Sequence, residues 1–162
     1  MAKAVSYSYL GDKLLSSVDA TGSNSSYTYD AVGNISSITN PNGGVTNYTY
    51  DLNNNVTSES KGKVIRYEYD SLDNLSKLTY PDGKEVTYTY NNNGKMLSAT
   101  DWEDRTTSYE YNKNSQLTKT TRPDGTIEVR TYDKAGNLTA IKDKRNNTII
   151  NYYEYNYDSA GN

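Results

Sequence analysis

The sequence has no cysteine, no histidine and no phenylalanine among its 162 residues. Without Cys and His it can form no disulfide, no thiolate or imidazole zinc site, and no Ser-His-Asp or Cys-His nucleophile. Carboxylates, lysines, tyrosines and hydroxyls are the chemical groups that remain. We therefore expect a protein that is not an enzyme and that holds no cofactor and no metal ion.

The sequence also has little net charge and no long apolar run. The 17 basic and 20 acidic residues give a net charge of −3 and form no basic stripe, which argues against nucleic acid as a partner. No apolar run is long enough to span a membrane, and residues 1–7 lack the apolar core of a signal peptide. We expect no membrane span, and any export signal would lie outside this chain.

Tyrosine is the abundant residue, with 18 copies. Each tyrosine can bury its ring while the hydroxyl stays hydrated, so tyrosines can replace the missing aliphatic mass of a core. A chain of this length is typical of one domain. The composition therefore predicts a single array over residues 1–162 with a thin, amphipathic core.

A Tyr-x-Tyr pair recurs at intervals of 19–25 residues. Asp or Asn follows the pair, and after two variable residues come Gly-Asn, or an equivalent, and an aliphatic residue. The clearest copies run from Tyr29 to Ile35 and from Tyr132 to Leu138, and three copies carry a further turn that begins with proline. The residues that define the repeat are Tyr27, Tyr29, Asp30, Gly33, Asn34, Tyr48, Tyr50, Asp51, Tyr67, Tyr69, Asp70, Tyr88, Tyr90, Tyr109, Tyr111, Tyr132, Asp133, Gly136, Asn137, Tyr155, Tyr157 and Asp158.

Each repeat reads as two short strands bounded by turn residues. Residues two apart in a strand share a face, so the paired tyrosines lie on one side of the sheet. In the return strand Leu75 and Leu78 are three apart, and they share a face only if a bulge lies between them. The pattern predicts an all-β fold: tandem hairpins of about 21 residues in a continuous, twisted or spiralling antiparallel sheet of about 15 strands.

The run Tyr-Asp-x-x-Gly-Asn-aliphatic, followed by Pro-Asp-Gly and the next Tyr-x-Tyr, resembles the YD repeat of the Rhs family. That family includes bacterial polymorphic toxins, insecticidal toxin complexes and teneurins. The resemblance covers about eight copies, the last one truncated, and implies a stretch of a hollow β-sheet shell that encloses a toxin domain. It also implies a bacterial, secreted or cell-surface protein. The family's Asp-Pro-x-Gly core motif is absent, so no self-cleavage site and no cargo domain carry over.

The recurrent Asp after each tyrosine pair has two interpretations. A row of carboxylates could bind calcium. Alternatively, each Asp caps a turn through its own backbone, with Gly33, Gly94, Gly136 and Gly161 supplying the positive φ that such a turn needs. We favour the turn cap, because Asn91 and Asn112 occupy the same place in two repeats and would weaken a calcium site.

Exposed aromatic residues are the candidates for binding. Trp102 stands where sister repeats have proline, and it is a candidate binding or interface anchor, although packing beside its own strand is the alternative. A last strand over residues 149–158 places Tyr153, Tyr155 and Tyr157 on one face. Unprotected outer strands recruit other chains, so we expect self-association through the sheet edges, or pairing with flanking repeats of a longer chain.

The sequence as a whole favours a non-catalytic structural module. The alternative is an adhesive module that binds carbohydrate or a cell surface through its tyrosine rows, since sugar rings stack on aromatic faces. An enzyme is the weakest hypothesis. Its only close acid pair, Glu103 and Asp104, lies on a turn without the apolar surroundings that would raise a pKa for acid catalysis.

Overall fold

The computed structural model describes residues 4–158. Its elements are β1 (Ser6–Leu10), β2 (Lys13–Val18), β3 (Asn24–Tyr29), β4 (Ile35–Thr39), β5 (Val45–Tyr50), β6 (Val56–Ser60), β7 (Val64–Tyr69), β8 (Leu75–Thr79), β9 (Glu85–Tyr90), β10 (Met96–Thr100), β11 (Thr106–Tyr111), β12 (Leu117–Thr121), β13 (Ile127–Tyr132), β14 (Leu138–Arg145) and β15 (Thr148–Glu154).

All fifteen strands belong to one sheet in which the spatial order follows the chain order. The predicted all-β fold of tandem hairpins in an antiparallel sheet is confirmed. Within the described residues no helix has the length and apolar character required to cross a membrane.

Two compact units divide the chain, residues 1–84 and residues 85–162. Strands β1 to β8 lie in the first unit and strands β9 to β15 in the second. Within each unit consecutive strands pair in the antiparallel direction. That the whole chain forms a single domain stays a prediction.

Each hairpin that begins with a tyrosine strand contains a β-bulge, and this bulge decides which face the aliphatic residues of the return strand occupy. In the β7–β8 hairpin Tyr67 pairs with Leu78 and Tyr69 pairs with Leu75, with a register shift between Glu68 and Tyr69. The extra residue on β8 brings both leucines opposite the two tyrosines. The same shift occurs between Thr28 and Tyr29 in the β3–β4 hairpin, so the three-residue spacing of the aliphatic positions is the signature of a bulge.

Burial is shallow throughout the described part of the chain. Only Ala140, Thr120 and Thr126 are less than a tenth exposed. The paired tyrosines of β3, β5, β7, β9 and β11 are half-buried, whereas the residue between the two tyrosines is exposed in each of these strands. The tyrosine rings on one face of the sheet are therefore only partly buried. This is the thin, amphipathic core that the composition predicts.

The last strand is shorter than the predicted range of residues 149–158. Strand β15 runs Thr148–Glu154, and its final ladder pair joins Ala140 to Glu154. Beyond it the backbone N–H of Tyr155 still donates to the carbonyl of Thr139 at 2.9 Å, but residues 155–158 are not part of the strand. Strand β14 extends two residues further, to Leu138, whose carbonyl accepts the Tyr157 hydroxyl at 2.9 Å. Gly161, predicted to have positive φ, lies outside the described residues.

Candidate functional site

The second tyrosine of most pairs reaches back to the preceding hairpin. The Tyr50 hydroxyl donates a hydrogen bond of 2.8 Å to the carbonyl oxygen of Ile35, the first residue of β4. Strand β5 pairs with β4 only over residues 37–39, so the ladder does not provide that carbonyl with a β5 donor. The tyrosine hydroxyl takes the place of the missing backbone N–H.

The same contact recurs in six repeats. The acceptor is the carbonyl of an apolar residue at the start of the previous return strand, at 2.8–2.9 Å: the second residue of β2 and the first residue of the other five strands. The pairs are Tyr29 with Leu14, Tyr50 with Ile35, Tyr69 with Val56, Tyr111 with Met96, Tyr132 with Leu117, and Tyr157 with Leu138. Phenylalanine could not make this bond, which accounts for tyrosine at these six positions.

Partial burial disfavours the ionised form of three of these phenols. Loss of hydration raises the pKa of Tyr50, Tyr69 and Tyr111 above its ordinary value. The hydroxyl therefore remains a donor at any pH near neutrality.

The first tyrosine of each pair lies opposite the return strand of its own hairpin. Its cross-strand partners are Ile38 for Tyr27, Glu59 for Tyr48, Leu78 for Tyr67, Ala99 for Tyr88 and Thr120 for Tyr109. In β9 the second tyrosine of the pair, Tyr90, lies opposite Met96 of β10. Cross-strand contacts of this kind are the unit of sheet stabilisation.

The residue after each tyrosine pair caps the turn. Asp30 Oδ1 accepts the backbone N–H groups of Val32, Gly33 and Asn34 at 3.0, 2.7 and 2.8 Å. A side-chain oxygen accepts N–H of the residue four positions later at Asp51, Asp70, Asn91, Asn112 and Asp133 as well. The amide oxygens of Asn91 and Asn112 accept the same backbone N–H as the carboxylates do. Acceptance that does not require a charge is what a turn cap predicts.

The fourth residue of the turn has positive φ. The value is 110° at Gly33 and 94° at Gly136. Sister turns place Asn54, Asp73 and Ser115 there, at 66°, 60° and 61°. A type I turn followed by one left-handed residue is the common three-residue hairpin loop, which explains the Gly, Asn or Asp at this position.

Hydrogen bonds keep the capping carboxylates ionised. The backbone N–H of Asn55 lowers the pKa of Asp51, and the backbone N–H of Asn137 lowers the pKa of Asp133. For Asp70 the side-chain amide of Asn74 is the main cause of the lowered pKa. Among residues 4–158 no group of three or more metal-ligating His, Cys, Asp or Glu side chains comes together.

Amide side chains join neighbouring turns, and these contacts were missed from the sequence. Asn34 Nδ2 donates to Asn54 Oδ1 at 2.8 Å, and Asn55 Nδ2 donates to Asp73 Oδ1 at 2.8 Å. In the second unit Gln116 Nε2 donates to the carbonyl of Gly136 at 2.9 Å. Donors and acceptors are 18–20 residues apart, about one repeat, so the repeat period was the signal that could have revealed them.

A second set of side-chain pairs covers the face opposite the tyrosines. Thr28 bonds Ser37, Thr49 bonds Ser58 and Thr89 bonds Ser98, each at 2.6 Å. Two repeats replace the hydroxyl pair by an ion pair. These are Lys77 with Glu68 at 2.6 Å and Lys119 with Glu110 at 2.8 Å. One face is thus polar and solvated, which leaves the other to the tyrosines.

The aromatic binding candidates are exposed but separate. Trp102, 44% exposed, lies on the turn between β10 and β11. Tyr153 lies on β15 opposite Ile141, and Tyr155 and Tyr157 follow the strand. The Glu103 carboxylate pairs with Arg105 at 3.0 Å, and Asp104 is the left-handed residue of that turn. A binding role for Trp102, Tyr153, Tyr155 or Tyr157 stays a prediction.

The model of the family described as RHS Repeat matches residues 7–45, 29–63, 58–85 and 69–106, which together span residues 7–106. The chain belongs to the RHS repeat family. The two features that carry this membership are the tyrosine pair and the capped turn. Both continue in β11 to β14, beyond the matched residues. No curated protein matches the chain significantly.

The chain is similar in fold to several solved structures. The "TcdB2-TccC3-Cdc42" structure is 20% identical, with a TM-score of 0.73 over 92% of this chain and 9% of the other. A Photorhabdus luminescens Tc holotoxin pore gives the same four values. The structure titled "TcdB2-TccC3 without hypervariable C-terminal region" is 14% identical, with a TM-score of 0.61 over 99% of this chain and 11% of the other. The chain spans about a tenth of the length of these chains, and the likeness is one of fold.

Proposed function

We propose that this chain is a non-catalytic wall segment of an RHS-repeat shell, a bacterial secreted or cell-surface assembly whose sheet encloses a toxin domain. The observation that carries the proposal is the hydroxyl bond from each hairpin to the one before it, as from Tyr50 to Ile35. It is a nearest-neighbour contact, so hairpins can be added without limit to make a wall of any length.

The outer strands support the same role. Every residue of β1 and every residue of β15 is exposed, and each strand pairs with one neighbour only in the described part of the chain. In a longer array these strands would pair with flanking repeats. The Tc toxin chains of similar fold are about ten times longer, so a segment of this size corresponds to a small part of such a wall.

The experiment is to sequence the gene on both sides of this region and to image its full-length product by electron microscopy. We expect further Tyr-x-Tyr repeats and a hollow particle. A full-length product without further repeats would overturn the proposal. A glycan array tests the adhesive alternative. A specific carbohydrate ligand that binds the wild type and is lost in Trp102→Ala would favour it.

A further inference from the structure

The turns that follow the tyrosine pairs form one row in each unit. In an antiparallel meander all loops that leave the odd-numbered strands lie at the same edge. The row of the first unit consists of residues 11–12, 30–34, 51–55 and 70–74, and the row of the second unit consists of residues 91–95, 112–116 and 133–137. We call these the first row and the second row.

The two rows carry opposite charge. The first row holds five carboxylates, those of Asp12, Asp30, Asp51, Asp70 and Asp73, and no basic residue, for a net charge of −5. The second row holds Lys95, Lys113 and Lys134 against the single carboxylate of Asp133, for a net charge of +2.

Free cations make the second row available to a partner. Lys95, Lys113 and Lys134 are all exposed, and within residues 4–158 none of them forms an ion pair. The carboxylates of Asp51 and Asp70 are held in the ionised form by the bonds of their turns.

Apolar side chains stand out from the first row. Val32, Leu52 and Leu72 occupy three successive turns and are 78%, 102% and 61% exposed. A shallow pocket lies between two of these turns, lined by Val32 and Leu52 together with Asp30 and Asp51. Large aliphatic side chains exposed in a row at the tips of turns are typical of an interaction surface.

We propose that the first row of one copy of this chain docks against the second row of another copy, head to tail. Both rows arise from the same hairpin repeat, so in each the turns follow at two strand spacings, about 10 Å. The charges can therefore meet turn by turn. The alkyl stems of the lysines would cover Val32, Leu52 and Leu72 while their ammonium groups reach the carboxylates.

A contact of this kind joins two different surfaces, so it generates a chain or ring of copies. It differs from pairing through β1 or β15, which would use backbone groups of the outer strands. The two kinds of contact respond to different substitutions.

The test is sedimentation velocity of the 162-residue chain over a wide range of concentration. We expect self-association that weakens between about 0.01 M and about 1 M ionic strength, where the screening length falls from about 30 Å to about 3 Å. Two variants are compared with the wild type. One is Lys95→Glu with Lys113→Glu and Lys134→Glu, and the other is Val32→Lys with Leu52→Lys and Leu72→Lys. All six positions are exposed, and circular dichroism and melting temperature check that both variants fold.

Each triple variant should associate at least about tenfold more weakly than the wild type, because it loses three side chains from one side of the contact. A mixture of the two should form a 1:1 dimer, since each variant keeps the row that the other has lost. A monomeric wild type at low salt would overturn the proposal. So would association that survives both triple variants, or that is abolished by Tyr153→Lys on β15 alone, which would assign the contact to the outer strand.

Discussion

The hydroxyl of Tyr50 and the carbonyl of Ile35, 15 residues apart in the chain, are joined by a hydrogen bond of 2.8 Å across two successive hairpins. Tyr48, two residues earlier on β5, has a ring of the same size but lies opposite Glu59 within its own hairpin. The two tyrosines of a pair thus have different tasks. The first packs within its hairpin, and the second ties that hairpin to its predecessor.

Replacement of Tyr50 by Phe should lower the free energy of unfolding by about 1 kcal/mol, because it leaves the Ile35 carbonyl without its donor. Tyr48→Phe is the matched control, since the Tyr48 hydroxyl has no such acceptor. Urea unfolding followed by circular dichroism measures both. Equal losses in the two variants would contradict the assigned role of the hydroxyl.

Replacement of Gly136 by Val should destabilise the chain by about 1–3 kcal/mol, because a β-branched residue is strained at positive φ. The φ of Gly136 is 94°, and a Cβ there would lie 3.3 Å from Gln116 Nε2. Gly136→Asn should cost less, since Asn54 occupies the same place in a sister turn. Ala135→Val, at an exposed position, is the control for added bulk. We expect the melting temperature to be highest for Ala135→Val, lower for Gly136→Asn and lowest for Gly136→Val.

Acid should weaken the turns that Asp residues cap. The folded pKa of Asp133 is lowered by the N–H of Asn137, so its contribution to stability is present above the unfolded pKa of about 3.9 and is lost as pH falls through the folded value. Asp133→Asn keeps a neutral cap, as Asn91 and Asn112 do, and removes this pH dependence at one turn. Asp133→Ala removes the cap at every pH.

Urea midpoints at pH 7 and near pH 3 compare the three proteins. The advantage of the wild type over Asp133→Ala should shrink in acid, whereas the advantage of Asp133→Asn should not. A wild-type advantage that is the same at both pH values would refute the cap as the source of the pH dependence.

Removal of divalent cations should leave the melting temperature unchanged. The capping carboxylates already accept N–H and amide donors, as Asp51 does from Asn53 and Asn55, so folding requires no cation. A thermal melt with and without chelator measures this. Since a ligand that binds only the folded state raises its stability, a lower melting temperature in chelator would reveal a metal site.

The sequence by itself determined the repeat, the strands and the turns. Alternation in a Tyr-x-Tyr strand places both tyrosines on one face whatever the surroundings, and an Asp or Asn before a left-handed residue caps a turn through bonds within five residues. Such features depend on neighbours in the chain, and in the hairpins from β3 to β14 the structure has them where the sequence predicted.

The tertiary structure decided the rest, because the remaining contacts depend on register between strands. The bulge that brings Leu75 and Leu78 to one side, the carbonyl that accepts the Tyr50 hydroxyl, and the amide that joins Asn34 to Asn54 all require the pairing of particular residues 6–20 positions apart. The end of β15 at Glu154 was missed for the same reason. The ladder ends at Ala140 and Glu154 although β14 extends to Leu138, because the register of the two strands leaves the Leu138 carbonyl to the Tyr157 hydroxyl.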